Sequence, residues 1–369
     1  MSINLPASLQ ARVTSGRSLR RGPSPRGALI YDRVNKWGGA ERVLLALHDF
    51  FPTAPLYTLV YDSASAPWAS VFTIRTTFLN AIPFLRTRHE FLSLLAPLAF
   101  ETFNFDDFDI VISISSEFAK AIITKPQTTH LCYCLTPTRY LWSGHKVYKK
   151  YPGLGIFSRL ASAFLHKFKK SLQNQDFILS HRPDQYLAIS KTVQKRIVKY
   201  YQQPSAIIYP GINYPFWSKT TNYELKTKNY YLLVSRLVPY KRVGLAIKAF
   251  KQLDRPLLIV GIGSHLPRLR SLASPNITFL GSVSDTKLRD LYQGAKALIF
   301  PQAEDFGLTA LEAQATGTPV IAYSYGGAAE TVIDGKTGVL FPKPSSDSLL
   351  AAIKRFEKSP ADTSGDLCQ

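Results

Sequence analysis

The sequence is poor in sulfur and in acidic side chains. Its 369 residues include three cysteines and one methionine, and 25 Asp and Glu stand against 45 Lys and Arg. Three cysteines cannot build a disulfide framework, and Cys132 and Cys134, two apart in an apolar run, are expected to be packed thiols rather than metal ligands. This pattern favours a reducing compartment. No run of about 18 apolar residues occurs, so we expect no transmembrane helix.

Most of the excess positive charge lies in one stretch, residues 139–202, and the first 27 residues are also basic. Residues 1–27 hold five arginines and no acid, and they lack the apolar core of a secretory signal. We expect a disordered, Arg-rich leader there, with a transit peptide as the alternative. Residues 139–202 hold 13 Lys and Arg against two acids, interleaved with 11 aromatic residues. A localised basic face predicts an anionic partner, which leaves nucleic acid, anionic lipid and phosphorylated small molecules open at this point.

From residue 28 onward, short apolar strands alternate with helical stretches. Strands are predicted at 28–31, 56–61, 110–114, 131–135, 186–189, 231–235, 257–260, 277–280, 297–300 and 320–323. Helices are predicted at 40–50, 91–103, 158–173, 192–201, 242–253, 285–293 and 308–315. Near-continuous apolar strands separated by helices indicate parallel sheets that are covered on both faces.

Two such sets of elements predict an α/β protein with two doubly wound, Rossmann-like domains facing across a cleft. The first domain is predicted at 28–205 and the second at 206–345, joined near 209–217. The leader at 1–27 precedes them, and a C-terminal helix and tail at 346–369 follow. Ligands of these sheets bind beyond the carboxyl ends of the strands, so the cleft is the expected site.

The most informative segment lies at 299–322, where a strand ends at Pro301 and a loop carries Glu304. A helix starts just afterwards, and its first unpaired amides form an anion site. These amides belong to Phe306, Gly307 and Leu308. Glu304 would project beside the anion, with Glu312 about one turn into the helix, and two carboxylates there suit sugar and ribose hydroxyls better than phosphate. The competing interpretation is that Glu304 caps the helix and Glu312 is solvated.

Two cations follow the end of the strand predicted at 231–235. Arg236 and Lys241 come before the next helix, so they are expected at the carboxyl end of the sheet, facing the cleft. Paired there, they could neutralise a pyrophosphate, whose departing charge needs stabilisation. In isolation, ordinary surface cations would be the simpler interpretation.

A glycine pair follows the first strand and opens a helix, in the order Asn-Lys-Trp-Gly-Gly-Ala-Glu-Arg-Val from Asn35. Gly38 and Gly39 have no side chains, so a ligand can approach the backbone closely. The dinucleotide fingerprint G-x-G-x-x-G is absent there.

These motifs, taken in order, resemble the retaining glycosyltransferases of family 4, which have the GT-B fold. The resemblance rests on Gly-Gly-Ala-Glu-Arg, then Ser-Arg-Leu with Lys241, then Glu304-x7-Glu312 with Phe-Gly-Leu, and it extends over about 28–355. The stretches at 31–43 and 132–142 resemble the subgroup of bacterial polysaccharide and O-antigen mannosyltransferases.

The resemblance implies roles for the matching positions. The catalytic residues would be Arg236 and Lys241, which hold the donor's diphosphate, and Glu304, which holds the hydroxyls of the transferred sugar. The residues that bind the rest of the donor would be Gly38, Gly39, Phe306, Gly307, Leu308 and Glu312, and Glu312 would hold the ribose. The residues on the acceptor side would be Arg139, Tyr140 and Trp142. No metal and no further cofactor are implied.

The resemblance also implies the substrates. The donor would be a nucleotide-diphosphate sugar, with GDP-mannose favoured over a UDP-sugar. The acceptor would be a lipid-linked saccharide in cell-surface polysaccharide biosynthesis. Transfer would be a front-side attack with retention, in which the leaving diphosphate takes the acceptor's proton. This agrees with the residues, because no free pair of carboxylates is placed for a double displacement.

The chain departs from the family pattern at two places. Leu135 occupies the position of the family's histidine, and His130, five residues earlier on the same strand, is expected on the opposite face. His145 could fold back toward the position instead. The tail at 359–369 is rich in turn residues and does not match the family's last helix, which crosses back to the first domain.

The stretch 158–173 is predicted to be a basic amphipathic helix. Its apolar side would carry Leu160, Ala161, Phe164, Leu165, Phe168 and Leu172, and its other side Lys167, Lys169 and Lys170. Contact with an anionic membrane is one interpretation, and a core-packed helix with a solvated cationic face is the other.

Three functions follow from these patterns. The leading one is a sugar-nucleotide-dependent glycosyltransferase, cytoplasmic and peripheral on the inner face of the cell membrane, with no nucleic-acid partner. A catalytically weak relative that serves as an assembly partner is the second. A nucleic-acid-binding protein that uses the basic stretch is the third, although no RNA-recognition signature occurs.

Overall fold

The computed structural model describes residues 25–87, 94–145, 158–220 and 229–358. Most of the predicted leader and all of the predicted tail at 359–369 lie outside these ranges. The described chain forms two parallel sheets, each with helices on both faces.

The first sheet has seven strands in the order β3-β2-β1-β4-β5-β6-β7, and every neighbouring pair is parallel. Its strands are β1 (Gly27–Tyr31), β2 (Leu56–Thr58), β3 (Ile74–Thr76), β4 (Ile110–Ser115), β5 (Thr129–Cys134), β6 (Gln185–Ala188) and β7 (Ser205–Ile207). The strand order reverses between β1 and β4, which places a ligand crevice at their carboxyl ends.

The second sheet has six parallel strands in the order β10-β9-β8-β11-β12-β13. Its strands are β8 (Tyr230–Val234), β9 (Leu257–Val260), β10 (Ile277–Gly281), β11 (Ala295–Phe300), β12 (Val320–Tyr323) and β13 (Gly338–Phe341). Here the order reverses between β8 and β11, so the motifs that follow these two strands meet at one edge.

The helices in the described ranges cover these sheets. In the first domain they are α1 (Gly39–Phe50), α2 (Pro83–Thr87), α3 (Ala96–Glu101), α4 (Ser158–Leu179) and α5 (Lys191–Tyr201). Beyond it they are α6 (Tyr214–Trp217), α7 (Val243–Leu253), α8 (Leu266–Leu272), α9 (Asp285–Gly294), α10 (Leu308–Ala315), α11 (Ala328–Thr331) and α12 (Ser346–Lys358). Within these ranges, no helix combines the length and the apolar character that crossing a membrane requires.

Each sheet is buried on both faces, as its near-continuous apolar strands predict. In β1, Leu29 and Tyr31 join the apolar cluster on one face, and Ala28 and Ile30 join the cluster on the other. Two further clusters flank the second sheet in the same way. Phe306, from the loop after β11, packs into a cluster of the first domain, so the two domains are in contact.

The structure differs from the sequence predictions at element boundaries. The first sheet ends with β7 at Ser205–Ile207, so the domain boundary predicted after 205 falls inside its last strand. Of the helix predicted at 91–103, only Ala96–Glu101 is an α-helix, and 91–93 lie outside the described residues. The helix predicted from 346 is α12, which packs on α7 and β13 of the second domain.

The basic amphipathic helix forms as α4, but its packed face is shorter than predicted. Phe168 was expected on the apolar side, yet 41% of it is exposed, so that placement is wrong. The buried positions described in this helix begin one turn later, at Leu172, and continue with Asp176 and Leu179. Lys167 is exposed as predicted, and its ammonium nitrogen lies 5.6 Å from the ring centroid of Phe168.

Candidate functional site

The loop after β11 and the start of α10 form one wall of the cleft. Gly307 precedes the helix with φ at 95°, in the left-handed region that favours glycine, and an added Cβ would lie 3.1 Å from the ring of Phe300. Among the described residues, no hydrogen bond uses the amides of Phe306, Gly307 or Leu308 as donors. The predicted amides are therefore free to bind an anion, while the Phe306 ring anchors the loop by stacking on Tyr209 at 5.7 Å.

Glu304 and Lys241, which are 63 residues apart, form an ion pair at this wall. Lys241 ends the short 3-10 turn Pro239–Lys241 that follows β8, and Glu304 follows β11, the neighbouring strand. Burial lowers the pKa of Lys241 well below its usual value, and the nearby positive charges of Arg236 and Arg139 lower it further. Arg236 is exposed and donates to the hydroxyl of Tyr240. The structure thus brings all three residues of the predicted catalytic set to one edge of the sheet.

Asp305, which no sequence motif identified, connects this wall to the first domain. Arg139 Nε donates to Asp305 Oδ2 at 3.0 Å, and Arg196 forms an ion pair with the other carboxylate oxygen. Ser190 Oγ donates to the Asp305 carbonyl oxygen at 2.6 Å. Burial alone would raise the pKa of Asp305, but the two guanidinium groups outweigh it and lower the pKa below its ordinary value. Arg139, predicted on the acceptor side, therefore also holds the donor-side loop.

The glycine pair stands opposite α10. A Cβ added to Gly39 would lie 3.4 Å from Cδ1 of Leu308, so the N-termini of α1 and α10 face each other across the cleft. Gly38 precedes α1 in an extended conformation without a side-chain cap. Behind it, the buried Glu41 accepts a hydrogen bond from the hydroxyl of Tyr31 at 2.6 Å. Two helix N-termini that lie this close to each other favour a bound anion beside them.

Lys36 adds a cation from the first domain. The positive charge of Arg33 and burial lower its pKa to about 8, and Arg236 of the second domain contributes in the same direction, against the opposing effect of Glu41. The Lys36 carbonyl accepts a hydrogen bond from Trp68 Nε1 at 2.8 Å, which holds its loop in place. A lysine two residues before a glycine pair was the signal that could have identified it.

Glu312 is buried at the second position of the predicted pair. Only 2% of it is exposed, so the interpretation of a solvated helix residue is wrong. Its Oε1 accepts from Arg42 Nη1 at 2.8 Å, and its Oε2 accepts from the hydroxyl of Tyr292 at 3.3 Å. Burial raises the pKa of Glu312 to about 7, although Arg42 opposes this effect. Both carboxylate oxygens that the resemblance assigns to a ribose are therefore engaged within the protein.

The acceptor-side residues lie after β5. Trp142 Nε1 donates to Asp176 Oδ2 at 2.6 Å, and its ring stacks on Tyr200 at 5.1 Å. Asp176 is also paired with the buried Lys120 at 2.7 Å. Trp142 is thus fixed inside the first domain. Tyr140 is half-buried, and its carbonyl oxygen lies 3.1 Å from His145 Nδ1.

The described strand β5 carries no substitute for the histidine of the family that the sequence resembles. Leu135 packs into the first-domain cluster that contains Leu29 and Tyr31. His130 lies on the opposite face of the sheet, as predicted, where its Nε2 is 2.8 Å from Ser113 Oγ. Across the described ranges, no group of three or more His, Cys, Asp or Glu side chains is arranged to hold a metal ion.

Comparison with known families places part of the chain among glycosyltransferases. Residues 218–367 match the family model described as Glycosyl transferases group 1. An uncharacterized glycosyltransferase of Methanocaldococcus jannaschii is 29% identical over 175 residues, which cover 46% of this chain and 48% of the relative. A GDP-mannose-dependent alpha-(1-6)-phosphatidylinositol monomannoside mannosyltransferase of Mycolicibacterium smegmatis is 32% identical over 149 residues, covering 36% of this chain and 39% of the relative. The chain thus spans about half the length, or less, of these curated relatives.

Solved structures of low sequence identity share the whole fold. Anabaena Alr3699/HepE, in complex with UDP and glucose, has a TM-score of 0.67 at 17% identity over 92% of this chain and 93% of that one. WaaG, a glycosyltransferase involved in lipopolysaccharide biosynthesis, has a TM-score of 0.61 at 16% identity over 89% and 90%. Together with the two doubly wound sheets, this confirms the predicted GT-B fold.

Proposed function

We propose that this chain is a retaining glycosyltransferase of family 4 that binds a nucleotide-diphosphate sugar in the cleft. The observation that carries the proposal is the meeting of Lys241, Arg236 and Glu304 beside the free amides at the start of α10. The amides and the two cations suit the diphosphate, and Glu304 suits the hydroxyls of the sugar. The matching family model covers this same domain.

The chemistry follows from which groups are free to act. The bond between the anomeric carbon and the diphosphate oxygen breaks while the acceptor oxygen attacks from the same face, and the departing diphosphate takes the acceptor's proton. Arg236 and Lys241 stabilise the negative charge of the leaving group. A double displacement would need a second free carboxylate near the anomeric carbon. Glu304 is paired with Lys241, and Asp305 is held by two arginines, which favours the front-side route.

The donor we propose is GDP-mannose, in preference to a UDP-sugar. One relative is a GDP-mannose-dependent mannosyltransferase by name, whereas the structure of Alr3699/HepE was determined with UDP and glucose. The measurement is the release of nucleoside diphosphate from GDP-mannose and UDP-glucose, each with and without a lipid-linked saccharide.

Matched variants test the site. Arg236→Ala and Glu304→Gln are expected to lower kcat/KM by about 100-fold or more, because each removes charge stabilisation or sugar contacts in the cleft. Arg255→Ala and Glu357→Gln are the controls. These two residues form an ion pair, with Nε of Arg255 3.4 Å from Oε1 of Glu357. Arg255 precedes β9, so this pair lies at the amino end of the sheet, opposite the proposed site. Absence of nucleoside diphosphate release from every sugar nucleotide would overturn the proposal, as would equal losses in the controls.

For the acceptor we propose a lipid-linked saccharide reached from an anionic membrane surface, with α4 in contact. Lys167 and Lys170 are exposed on this helix beside the exposed ring of Phe168. Cations near an anionic surface contribute about 1 kcal/mol each, and salt screens this attraction. Binding to vesicles that contain phosphatidylglycerol should therefore weaken with salt and with Lys167→Ala/Lys170→Ala. Equal binding to neutral phosphatidylcholine vesicles would contradict it.

One observation favours a second candidate, a catalytically weak assembly partner. Leu135 replaces the histidine of the resembling family and is packed among apolar side chains. We expect Leu135→His to raise turnover or donor affinity if this position limits activity. Unchanged values in an active enzyme would exclude a role for it, and a lack of turnover in both proteins would favour the assembly partner.

A further inference from the structure

Arg42 joins the two domains at the back of the cleft. It lies in the first turn of α1, and its guanidinium reaches two carboxylates of the second domain. Nη1 donates to Glu312 Oε1 at 2.8 Å, and Nη2 donates to Asp285 Oδ1 at 2.6 Å. The guanidinium carbon is 5.5 Å from the ring centroids of both Trp37 and Trp217. Four side chains thus hold one guanidinium in a defined position.

The two carboxylates differ in what they require from Arg42. The side chain of Asp285 is 44% exposed, so water can solvate its charge. The side chain of Glu312 is 2% exposed, and a buried carboxylate without a partner is costly. Tyr292 donates the other hydrogen bond to Glu312 at 3.3 Å, so Arg42 is the cationic partner of this carboxylate.

We propose that Arg42 is a positioning residue that holds Glu312 and closes the cleft before the donor binds, and that the ribose hydroxyls of the nucleotide then replace it on Glu312. This rests on the proposed function, because it assigns a regulator to the same donor site. During the exchange Arg42 stays in contact with Asp285 and with the rings of Trp37 and Trp217, so its positive charge remains paired. Glu312 passes from one set of donors to another and is never left buried without a partner.

The exchange links donor binding to the ionisation of Glu312. The groups that face this carboxylate are Arg42 from α1, and Asp285 and Tyr292 from α9. Burial raises the pKa of Glu312 to about 7, and the Arg42 charge opposes that rise. A carboxylate accepts hydroxyl donors best when it is ionised, so nucleotide affinity should fall as the pH drops through 7.

The test is calorimetric titration with UDP and GDP between pH 6 and pH 9. In Arg42→Gln the midpoint of the pH dependence should move upward by about 1 unit, because a cation that favours the ionised form has been removed. Arg42→Lys, which keeps the positive charge, should fall between this variant and the wild type. Glu330→Ala is the matched control, since Glu330 also joins the domains, through the first amides of α5, but does not contact Glu312.

Equal midpoints in the wild type and Arg42→Gln would overturn the proposal, as would an equal shift in Glu330→Ala, since that would indicate a purely structural role. A double-mutant cycle of Arg42→Gln and Glu312→Gln, read by thermal unfolding without nucleotide, should be non-additive. Additive effects would also overturn it. If neither nucleotide binds to any of the proteins, the proposed function and the ribose exchange both fail, while the cycle still reports on the Arg42–Glu312 pair.

Discussion

The burial of His130 makes the stability of the protein fall as the pH is lowered. Its imidazole is fully buried, and Nε2 lies 2.8 Å from Ser113 Oγ. Burial lowers its pKa to about 3, and the positive charge of Arg182 contributes to the effect. In the unfolded chain an ordinary histidine has a pKa of about 6.5. Between these two values the unfolded state binds a proton that the native state excludes.

Replacement of this imidazole by an amide should make the protein less sensitive to acid. The contribution of His130 is fully present above pH 6.5 and is lost as the pH falls toward 3, since the folded pKa is the lower one. One proton corresponds to a slope of about 1.4 kcal/mol per pH unit. Urea unfolding at pH 7, 6, 5 and 4 should therefore show a shallower loss of stability in His130→Gln. Parallel curves for the two proteins would contradict this assignment.

Some residues of the candidate site could be predicted from the sequence, and others could not. Lys241, Glu304 and the glycine pair each follow a strand, and the parallel topology brings the carboxyl ends of strands together. Arg42 and Asp305 could not be identified in this way. Their partners lie across the domain interface, more than 100 residues away, and depend on how two separate sheets are oriented. Local patterns contain no information on that orientation.

At the scale of elements, strands that are buried on both faces were predicted well. The apolar runs of β1, β4, β8 and β11 match their predicted positions to within two residues. The missed strands are β3, β7 and β13, which have three or four residues each. In β13 the first residue is Gly338, where a Cβ would lie 2.0 Å from the carbonyl oxygen of Val320. Close strand approach requires this glycine, but glycine also weakens the strand pattern in the sequence.

The N-terminus of α5 is capped by both domains, and this cap has a measurable strength. Glu330 of α11 accepts hydrogen bonds from the amides of Lys191 and Thr192 at 2.8 and 2.9 Å, while Ser190 Oγ accepts from Val193 at 3.1 Å. Loss of such a cap costs about 1 kcal/mol. Glu330→Ala should lower the free energy of unfolding by about that amount, and Glu330→Gln, which keeps one acceptor oxygen, by less. Equal stability of both variants and the wild type in urea would show that water replaces the carboxylate.

At the scale of the whole molecule, three sets of polar contacts among the described residues join the two domains, in addition to the apolar contact of Phe306. Asp305 binds two arginines of the first domain, Glu330 caps α5, and Arg42 reaches α9 and α10. Two of these three sets also border the proposed donor site. The orientation of the domains and the shape of the site therefore depend on the same side chains, so a variant can affect both.

Asp305 is expected to be the strongest of these connections, because its removal takes the ion-paired carboxylate from the mostly buried Arg196 and the nearer of two carboxylates from Arg139, which keeps Glu304 at 4.0 Å. Breaking such a pair costs about 3 kcal/mol or more. Asp305→Ala should therefore lower the melting temperature and separate calorimetric unfolding into two transitions, one for each domain. Asp347→Ala, on the exposed start of α12, is the control and should unfold like the wild type. A single transition at the wild-type temperature in Asp305→Ala would mean that the apolar contact of Phe306 with the first domain suffices to hold the domains together.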